Sequence, residues 1–408
     1  MDRGVLVLKP GRDRSLRLHH PWVFSGAVSA LSGSPDNGAV VEVVGAGGEF
    51  LAWALLNRNS QIIARAISFN EAAFPDEQFI RAAVRRAVER RQALFQGGLP
   101  SACRLIYAES DNLPGLIVDR YEQWLVLQCT CLGMERYKEL VARELAELVS
   151  CRGVYERSDT DTREKEGLER AAGPLLGEEP PELIEIHEHG ARFLVDVRRG
   201  QKTGWYLDQR ENRRLVAQRA EGREVLNCYS YTAAFAVACL CAGAARVVNV
   251  ESSEALLELG KRNCELNGVA DRAEHVSADV SKYLRYLRDS RQSFDMIILD
   301  PPRFALARSQ VERACRGYKD INLLALKLLR PGGILATFSC SAVIPTPLFQ
   351  KVVFDAARDA EREVRIIARM TQSADHPVLL SFPESEYLKG LLCYAEEPPA
   401  PPPGEEGA

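Results

Sequence analysis

Residues 336–342 read ATFSCSA, an apolar segment that runs into Ser339, Cys340 and Ser341. Free cysteine is most often a small buried hydrophobe, and Cys340 can be read that way. The alternative is a nucleophile, because a strand ending in small polar residues can present a thiol whose thiolate attacks carbon. Four further features fall at the carboxyl ends of expected strands. NCYSYTAAF (227–235) is a strand-to-helix turn carrying Asn227, Tyr229, Tyr231 and Thr232. Glu251 closes VVNVES, about twenty residues on, where a carboxylate can take both hydroxyls of a ribose. Asp279, in VSADV, can accept from an adenine amino group. Asp300 and Pro301 open the DPP that ends the most apolar strand of the chain.

A strand, a turn, a helix and an acidic residue for the ribose suit NAD and S-adenosylmethionine alike. The turn holds no G-x-G-x-x-G, the backbone cradle a dinucleotide's phosphates need. The Pro301–Pro302 corner makes a rigid wall beside a transferable methyl group, so S-adenosylmethionine is the expected cofactor. Each acidic residue taken singly is more often a surface loop residue, and Tyr229 and Tyr231 can equally be core aromatics with a bonded hydroxyl. Cys315, in ERACRGYKDIN, is the other thiol of interest, but its helical setting favours packing. No metal is expected: the C-x-C pairs Cys129/Cys131 and Cys239/Cys241 lack zinc-site spacing.

The elements that must position these residues alternate from about residue 190 onward, apolar strand with amphipathic helix. REVLNCYSY, ARVVNVESS, AEHVSADV, FDMIILDPPRF and ILATFSCSA are the strands, with helices between them. Such repeats predict an α/β fold with a mainly parallel, doubly wound sheet over 191–395, which binds ligands at its strands' carboxyl ends. Before it the pattern differs. Residues 1–70 show short strands and the turn signal SGSPDNG, predicting a small β-barrel or sandwich. Residues 71–190 predict a central α+β domain with helices at 75–95 and 135–149, AAGPLLGEEPPE (171–182) as loop, and strand again in IEIHEHGARFLVDV. The proline-rich, acidic 396–408 is expected to be a disordered tail.

A chain of 408 residues exceeds what one core usually serves, which favours two or three domains. No apolar run reaches the roughly twenty residues of a membrane span, and the charged start MDRGVLVLKPGRDRS lacks a secretory signal, so a cytoplasmic protein without a membrane partner is expected. Eleven scattered cysteines then predict no disulfide framework. The net charge of -4 does not exclude RNA, which needs only a local basic face. Arg12, Arg14 and Arg17 beside His19 and His20 form one candidate face. Five arginines between 81 and 91 form another, expected to stay solvated with Ile80, Val84, Val88 and Phe95 turned inward.

VLNCYSYTAAFAV, GQKTGWYLDQRENR (200–213), ILDPPRF, ACRGYKDIN (314–322), TFSCS and ADHPV (374–378) together resemble the bacterial large-subunit ribosomal RNA methyltransferase I family, over nearly the whole chain. The resemblance implies a class I S-adenosylmethionine-dependent methyltransferase domain with a Rossmann-like sheet, behind a PUA-type RNA-binding barrel over 1–70. It implies 23S rRNA of the large subunit or its precursor as partner, and 5-methylcytosine as product. Within that reading Cys340 is the nucleophile at cytosine C6 and Asp300 meets the base as an acid or by positioning it. Tyr206 and Asp208 resemble the cofactor lid, against a plain domain-junction role, and Arg303 stands on the RNA side, where some RNA cytosine-C5 enzymes carry a second cysteine. The family turn is Thr-Gly-Gly; here Thr232 is followed by Ala233 and Ala234, whose methyl groups are expected to narrow the cofactor pocket. Two other readings stay open: a guanine-N7 or exocyclic-amine methyltransferase that leaves Cys340 idle, and a non-catalytic RNA-binding assembly factor. Dimerisation is left open as well.

Overall fold

The computed structural model describes residues 4–396, so of the tail expected over 396–408 only Glu396 is among the described residues. The chain divides into two compact units. One takes everything up to Glu188 together with Val195–Leu207 and Ala374–Ser385; the other takes His189–Leu194, Asp208–Ser373 and the chain from Glu386.

In the first unit, β1 (Val5–Leu8), β2 (Trp22–Phe24), β3 (Val28–Ser32), β4 (Val40–Val44), β5 (Phe50–Leu56) and β6 (Ile62–Ser68) form one sheet in the order β2-β6-β5-β4-β1-β3. Alternation turns Leu6, Val41, Val43 and Ala64 onto a shared core, and a short helix, α1 (Arg14–Arg17), adds Leu16 to it. The small β module expected at the N-terminus is present. Next comes α2 (Glu77–Leu94), whose start is capped by Asp76 accepting from the Phe79 N–H at 2.8 Å. A second sheet holds β7 (Ala102–Tyr107), β8 (Leu116–Tyr121), β9 (Trp124–Cys129), β10 (Gly153–Ser158) and β11 (Ala171–Gly177), in the order β11-β10-β9-β8-β7. Helices α3 (Leu132–Glu135), α4 (Lys138–Val149) and α5 (Asp161–Lys165) connect its strands. The chain then passes through β12 (Ile184–Glu188) and β13 (Ala191–Val195).

Two expectations need correction here. Residues 171–177 are not loop but strand β11, antiparallel to β10. Glycine and proline hid it, and both are tolerated because β11 is an edge strand. Of the α2 arginines expected to be solvated, Arg85, Arg86 and Arg90 are exposed and Arg81 partly so, but Arg91 is not. Arg91 is fully buried and bidentate to Asp111 at 2.7 Å, Arg90 joins the same carboxylate, and Arg81 and Arg85 hold Glu144.

In the second unit, α6 (Arg210–Ala217) precedes a seven-stranded sheet. Its strands are β14 (Glu224–Cys228), β15 (Arg246–Glu251), β16 (Ala273–Ser277), β17 (Phe294–Leu299), β18 (Leu329–Ser339), β19 (Val364–Met370) and β20 (Lys389–Ala395). The order is β16-β15-β14-β17-β18-β20-β19. Strands β14 to β18 are mutually parallel, and β20 runs antiparallel between β18 and β19. Connecting helices are α7 (Ala234–Cys241), α8 (Glu254–Leu266), α9 (Val280–Asp289), α10 (Val311–Leu328) and α11 (Thr346–Asp359). The middle strands are almost continuously apolar because helices cover both faces; β17 buries five of its six residues. In α10, Ala314, Tyr318, Ile321, Ala325 and Leu328 recur at helical spacing and face the core with Leu335 and Phe349. From β14 the chain adds β15 and β16 on one side and β17 and β18 on the other, so the strand order switches between β14 and β17 and a crevice opens at their carboxyl ends.

Candidate active site

Glu251, Asp300 and Cys340 sit where β15, β17 and β18 stop, and Tyr229 to Thr232 follow the end of β14. After β14 the chain makes a tight loop in which Tyr229 (φ 58°), Tyr231 (φ 50°) and Ala233 (φ 64°) all take left-handed backbone conformations. Three such non-glycine residues within five positions store strain, a feature that clusters at ligand sites. Ser230 and Thr232, between them, have buried hydroxyl oxygens without a hydrogen-bond partner among the described residues. Orphaned hydroxyls at the end of a switch-point strand fit a polar ligand that would complete them. Glu251, ending β15, fixes the same loop. Its Oε1 accepts from the Ser252 and Ser253 N–H groups at 2.8 and 3.2 Å, and Oε2 from Tyr231 N–H at 3.1 Å. Oε2 keeps acceptor capacity for a ribose hydroxyl.

The remaining cofactor candidates have mixed surroundings. Asn227 lies inside the sheet, donating to the Asn249 side chain at 2.9 Å. Tyr229 packs against the core, and burial pushes its phenol well up. Asp279 is exposed and caps α9 through the Lys282 N–H at 2.9 Å. Asp208 is buried and accepts from the Tyr387 hydroxyl. Tyr206 belongs to the first unit, where Lys202 lies over its ring and its hydroxyl donates to Gln201. The methyl of Ala233 is directed at α8, since a Cβ placed on Gly260 would come within 3.1 Å of it. Gly260 is therefore what makes room for Ala233.

The ends of β17 and β18 are tied to each other. Asp300 accepts from Gln209 Nε2 at 3.0 Å, Pro301 is buried, and Pro302 and Arg303 are exposed. Cys340 is half-buried between the fully buried Ser339 and Ser341, and its Sγ lies 3.9 Å from the Pro301 carbonyl oxygen. The two serines converge on one hydroxyl: Tyr318 Oη is 3.0 Å from Ser339 Oγ and 3.1 Å from Ser341 Oγ. Ser341 Oγ also accepts from the Ala305 N–H at 3.3 Å, joining the two loops. Tyr318 is itself held by the ring of Phe304, centroids 4.6 Å apart, which approaches α10 over Gly317. Lys389, opposite Ser339 in the β18/β20 register, donates from Nζ to the Ser341 carbonyl at 2.8 Å and the Tyr387 carbonyl at 2.7 Å.

Thus the structure gathers Tyr231, Thr232 and Glu251 in one loop cluster, and Asp300, Pro301 and Cys340 in another. Cys315 lies in α10, where burial pushes its thiol up, as it does for Cys228, Cys264 and Cys393. All eleven cysteines are free. In the first unit, Arg17 is engaged by Asp13 and Glu49, while Arg12 and Arg14 are exposed beside a cleft formed by Arg12, Ser15, Trp22 and Phe24. Tyr318, Ser230, Gly260 and Lys389 were not among the expected site residues. The available signal for Lys389 was a single charge inside the apolar run YLKGLLCY.

The profile of the S-adenosylmethionine-dependent methyltransferase family matches residues 164–390, and that of a PUA-like domain residues 6–69. Ribosomal RNA large subunit methyltransferase I of Cronobacter sakazakii is 46% identical over 390 residues, covering 95% of this chain and 98% of its own length. Its namesake from Escherichia coli O9:H4 is 45% identical over 389 residues, with the same coverage. A solved SAM-dependent methyltransferase from Streptococcus mutans shares the fold, with a TM-score of 0.82 at 22% identity over 96% of this chain and 99% of that one. Another structure, of a methyltransferase complexed with SAH, superposes equally well. With its PUA-like sheet, its switch-point crevice and relatives this similar along nearly their full length, the chain belongs to the ribosomal RNA large subunit methyltransferase I family and takes S-adenosylmethionine as its cofactor.

Proposed function

We propose that the protein methylates cytosine at C5 in 23S rRNA of the large ribosomal subunit or its precursor, with Cys340 as the covalent nucleophile and Asp300 meeting the base. One observation carries the reading. Cys340 is the half-exposed member of a buried Ser-Cys-Ser triplet at the end of β18, with Sγ beside the DPP loop. A packing cysteine would not need two serines locked to a tyrosine hydroxyl on either side.

S-adenosylmethionine supplies an electrophilic methyl group on a positively charged sulfur. Cytosine C5 is a poor partner for it until the ring is activated. The Cys340 thiolate forms an Sγ–C6 bond, which moves the C5=C6 pair towards C5 and makes that carbon nucleophilic. After C5 has taken the methyl group, a base removes the C5 proton, the pair left behind restores C5=C6, and the Sγ–C6 bond breaks with its electrons returning to sulfur. Asp300, fixed by Gln209, is within the same strand-end cluster and suits a hydrogen bond to the cytosine edge. The target must be unpaired or flipped to enter such a crevice. Exposed Arg12, Arg14 and Arg303 suit phosphate contacts. Tyr206 and Asp208 suit a cofactor lid, with the N-terminal module (1–70), the central α+β part (71–190) and the methyltransferase part (191–395) dividing the labour.

The test is methyl transfer from labelled S-adenosylmethionine to protein-free 23S rRNA, wild type beside Cys340→Ala, with nucleosides identified by mass spectrometry. We expect 5-methylcytidine from the wild type and a loss of at least about 10³-fold in the variant, as removal of an essential covalent nucleophile requires. A different methylated nucleoside made equally well by Cys340→Ala would instead favour N7 or amine transfer.

A further inference from the structure

Lys389 is an unusual residue for its place. It opens β20, 6% exposed, in a run whose neighbours are Leu388, Leu391 and Leu392. A buried ammonium costs several kcal/mol unless it is paired, and the two acceptors it has are neutral carbonyls, of Ser341 and Tyr387. An ammonium has three protons to donate. Both carbonyls flank the site: Ser341 follows Cys340 directly, and Tyr387 also binds Asp208.

We infer that Lys389 is a positioning residue for Cys340, a fixed cation that shapes the Cys340 loop through the Ser341 carbonyl and favours the thiolate over the thiol. The inference rests on the nucleophile reading above and deepens it. The groups that face Lys389 are Cys340, Glu386 and Arg303, with Tyr318 across the Ser-Cys-Ser triplet. A thiolate at Cys340 and the Glu386 carboxylate favour the charged lysine, while burial and Arg303 oppose it; burial dominates, bringing the ammonium down to about 8. Lys389 is thus charged at neutral pH and loses its charge just above it. Linkage makes the effect mutual: whatever the thiolate does for the ammonium, the ammonium does for the thiolate. Charge-assisted stabilisation of this kind is how reactive cysteines are set apart from packing ones.

The experiment is the pH profile of iodoacetamide alkylation at Cys340, followed by peptide mass spectrometry so that the other ten cysteines do not contribute. Wild type, Lys389→Met and Lys389→Arg are compared, each with its thermal midpoint. The expected result is a wild-type midpoint below the ordinary thiol value of about 8.5. Lys389→Met should raise that midpoint by about one pH unit, slowing alkylation near pH 7 roughly tenfold, and Lys389→Arg should bring most of it back. A folded Lys389→Met with the wild-type profile overturns the inference. Should Lys389→Met fail to fold, the wild type decides, since a midpoint at or above about 8.5 means that no cation favours the thiolate. Alkylation needs no RNA, so the outcome is separate from the nucleophile reading, which stands or falls on methyl transfer by Cys340→Ala.

Discussion

At the scale of single residues, Tyr318 is the bond on which the Cys340 loop depends. Its hydroxyl serves Ser339 and Ser341 at once, and all three are buried. Tyr318→Phe removes one oxygen but leaves two buried serine hydroxyls to find new partners, each such loss costing about 1–3 kcal/mol. The expected outcome is a stability loss of about 1–3 kcal/mol in urea titration, together with a fall in kcat while the KM for S-adenosylmethionine holds. An unchanged kcat would show the loop to be held by Lys389 and Ala305 alone. ACRGYKDIN was legible as a marked stretch of sequence, yet what it does was not. Tyr318 lies more than twenty residues before its two serines, and nothing in either segment alone reports that they meet. Arg91 was misjudged for the same reason, because its carboxylate partner Asp111 belongs to a different element.

At the scale of elements, the loop after β14 and helix α8 are fitted to each other. Ala233 holds a left-handed φ of 64°, which disfavours a side chain by roughly 1–2 kcal/mol, and its methyl is accepted because position 260 has none. Gly260→Ala should therefore destabilise the protein by about 1–3 kcal/mol through overpacking. Ala233→Gly should be neutral or stabilising by up to about 1 kcal/mol, since glycine takes that φ freely. Combining them should give a stability closer to wild type than the sum of the two, a coupling that a double-mutant cycle in urea measures directly. The loop sequence alone shows the two alanines but not Gly260, which faces the methyl of Ala233 from α8. The repeating strands and helices of this half were readable because burial on both faces leaves near-continuous apolar runs, as in Met296–Leu299 of β17. Strand β11 was not, because its glycines and proline speak against a strand that only its neighbour β10 makes possible.

At the scale of the whole molecule, the buried ion pairs of the first unit make its stability depend on acid in a definite direction. Burial by itself would push the Asp111 carboxyl up, but the guanidiniums of Arg91 and Arg90 outweigh it and hold the group below the ordinary range. A carboxyl depressed in the folded state contributes its stability above the unfolded value near 3.9 and loses it as the pH falls through the folded one. Asp111→Asn should thus be weaker than wild type by about 3–5 kcal/mol at pH 7, the cost of stranding a buried charge. That gap should narrow below about pH 4, where the wild-type carboxyl takes up its proton as well. Urea midpoints from pH 7 down to pH 3 read both effects; a gap independent of pH would mean that the asparagine simply packs badly.

The strand order of the large sheet sets a timetable for the newborn chain. β20 is made after β19 but sits between β19 and β18, so the sheet is left with a slot until the last described strand has left the ribosome. Until then the backbone groups of β18 that point at the slot have no partner, and the Ser341 carbonyl has no ammonium. The surroundings of Cys340 thus close only once the chain has been made as far as β20. A chain interrupted before Lys389 would carry β14 to β18 and the loops at their carboxyl ends without the strand that completes the surroundings of Cys340. The order of synthesis is therefore also the order in which the Cys340 loop gains its contacts, and the one from β20 comes last.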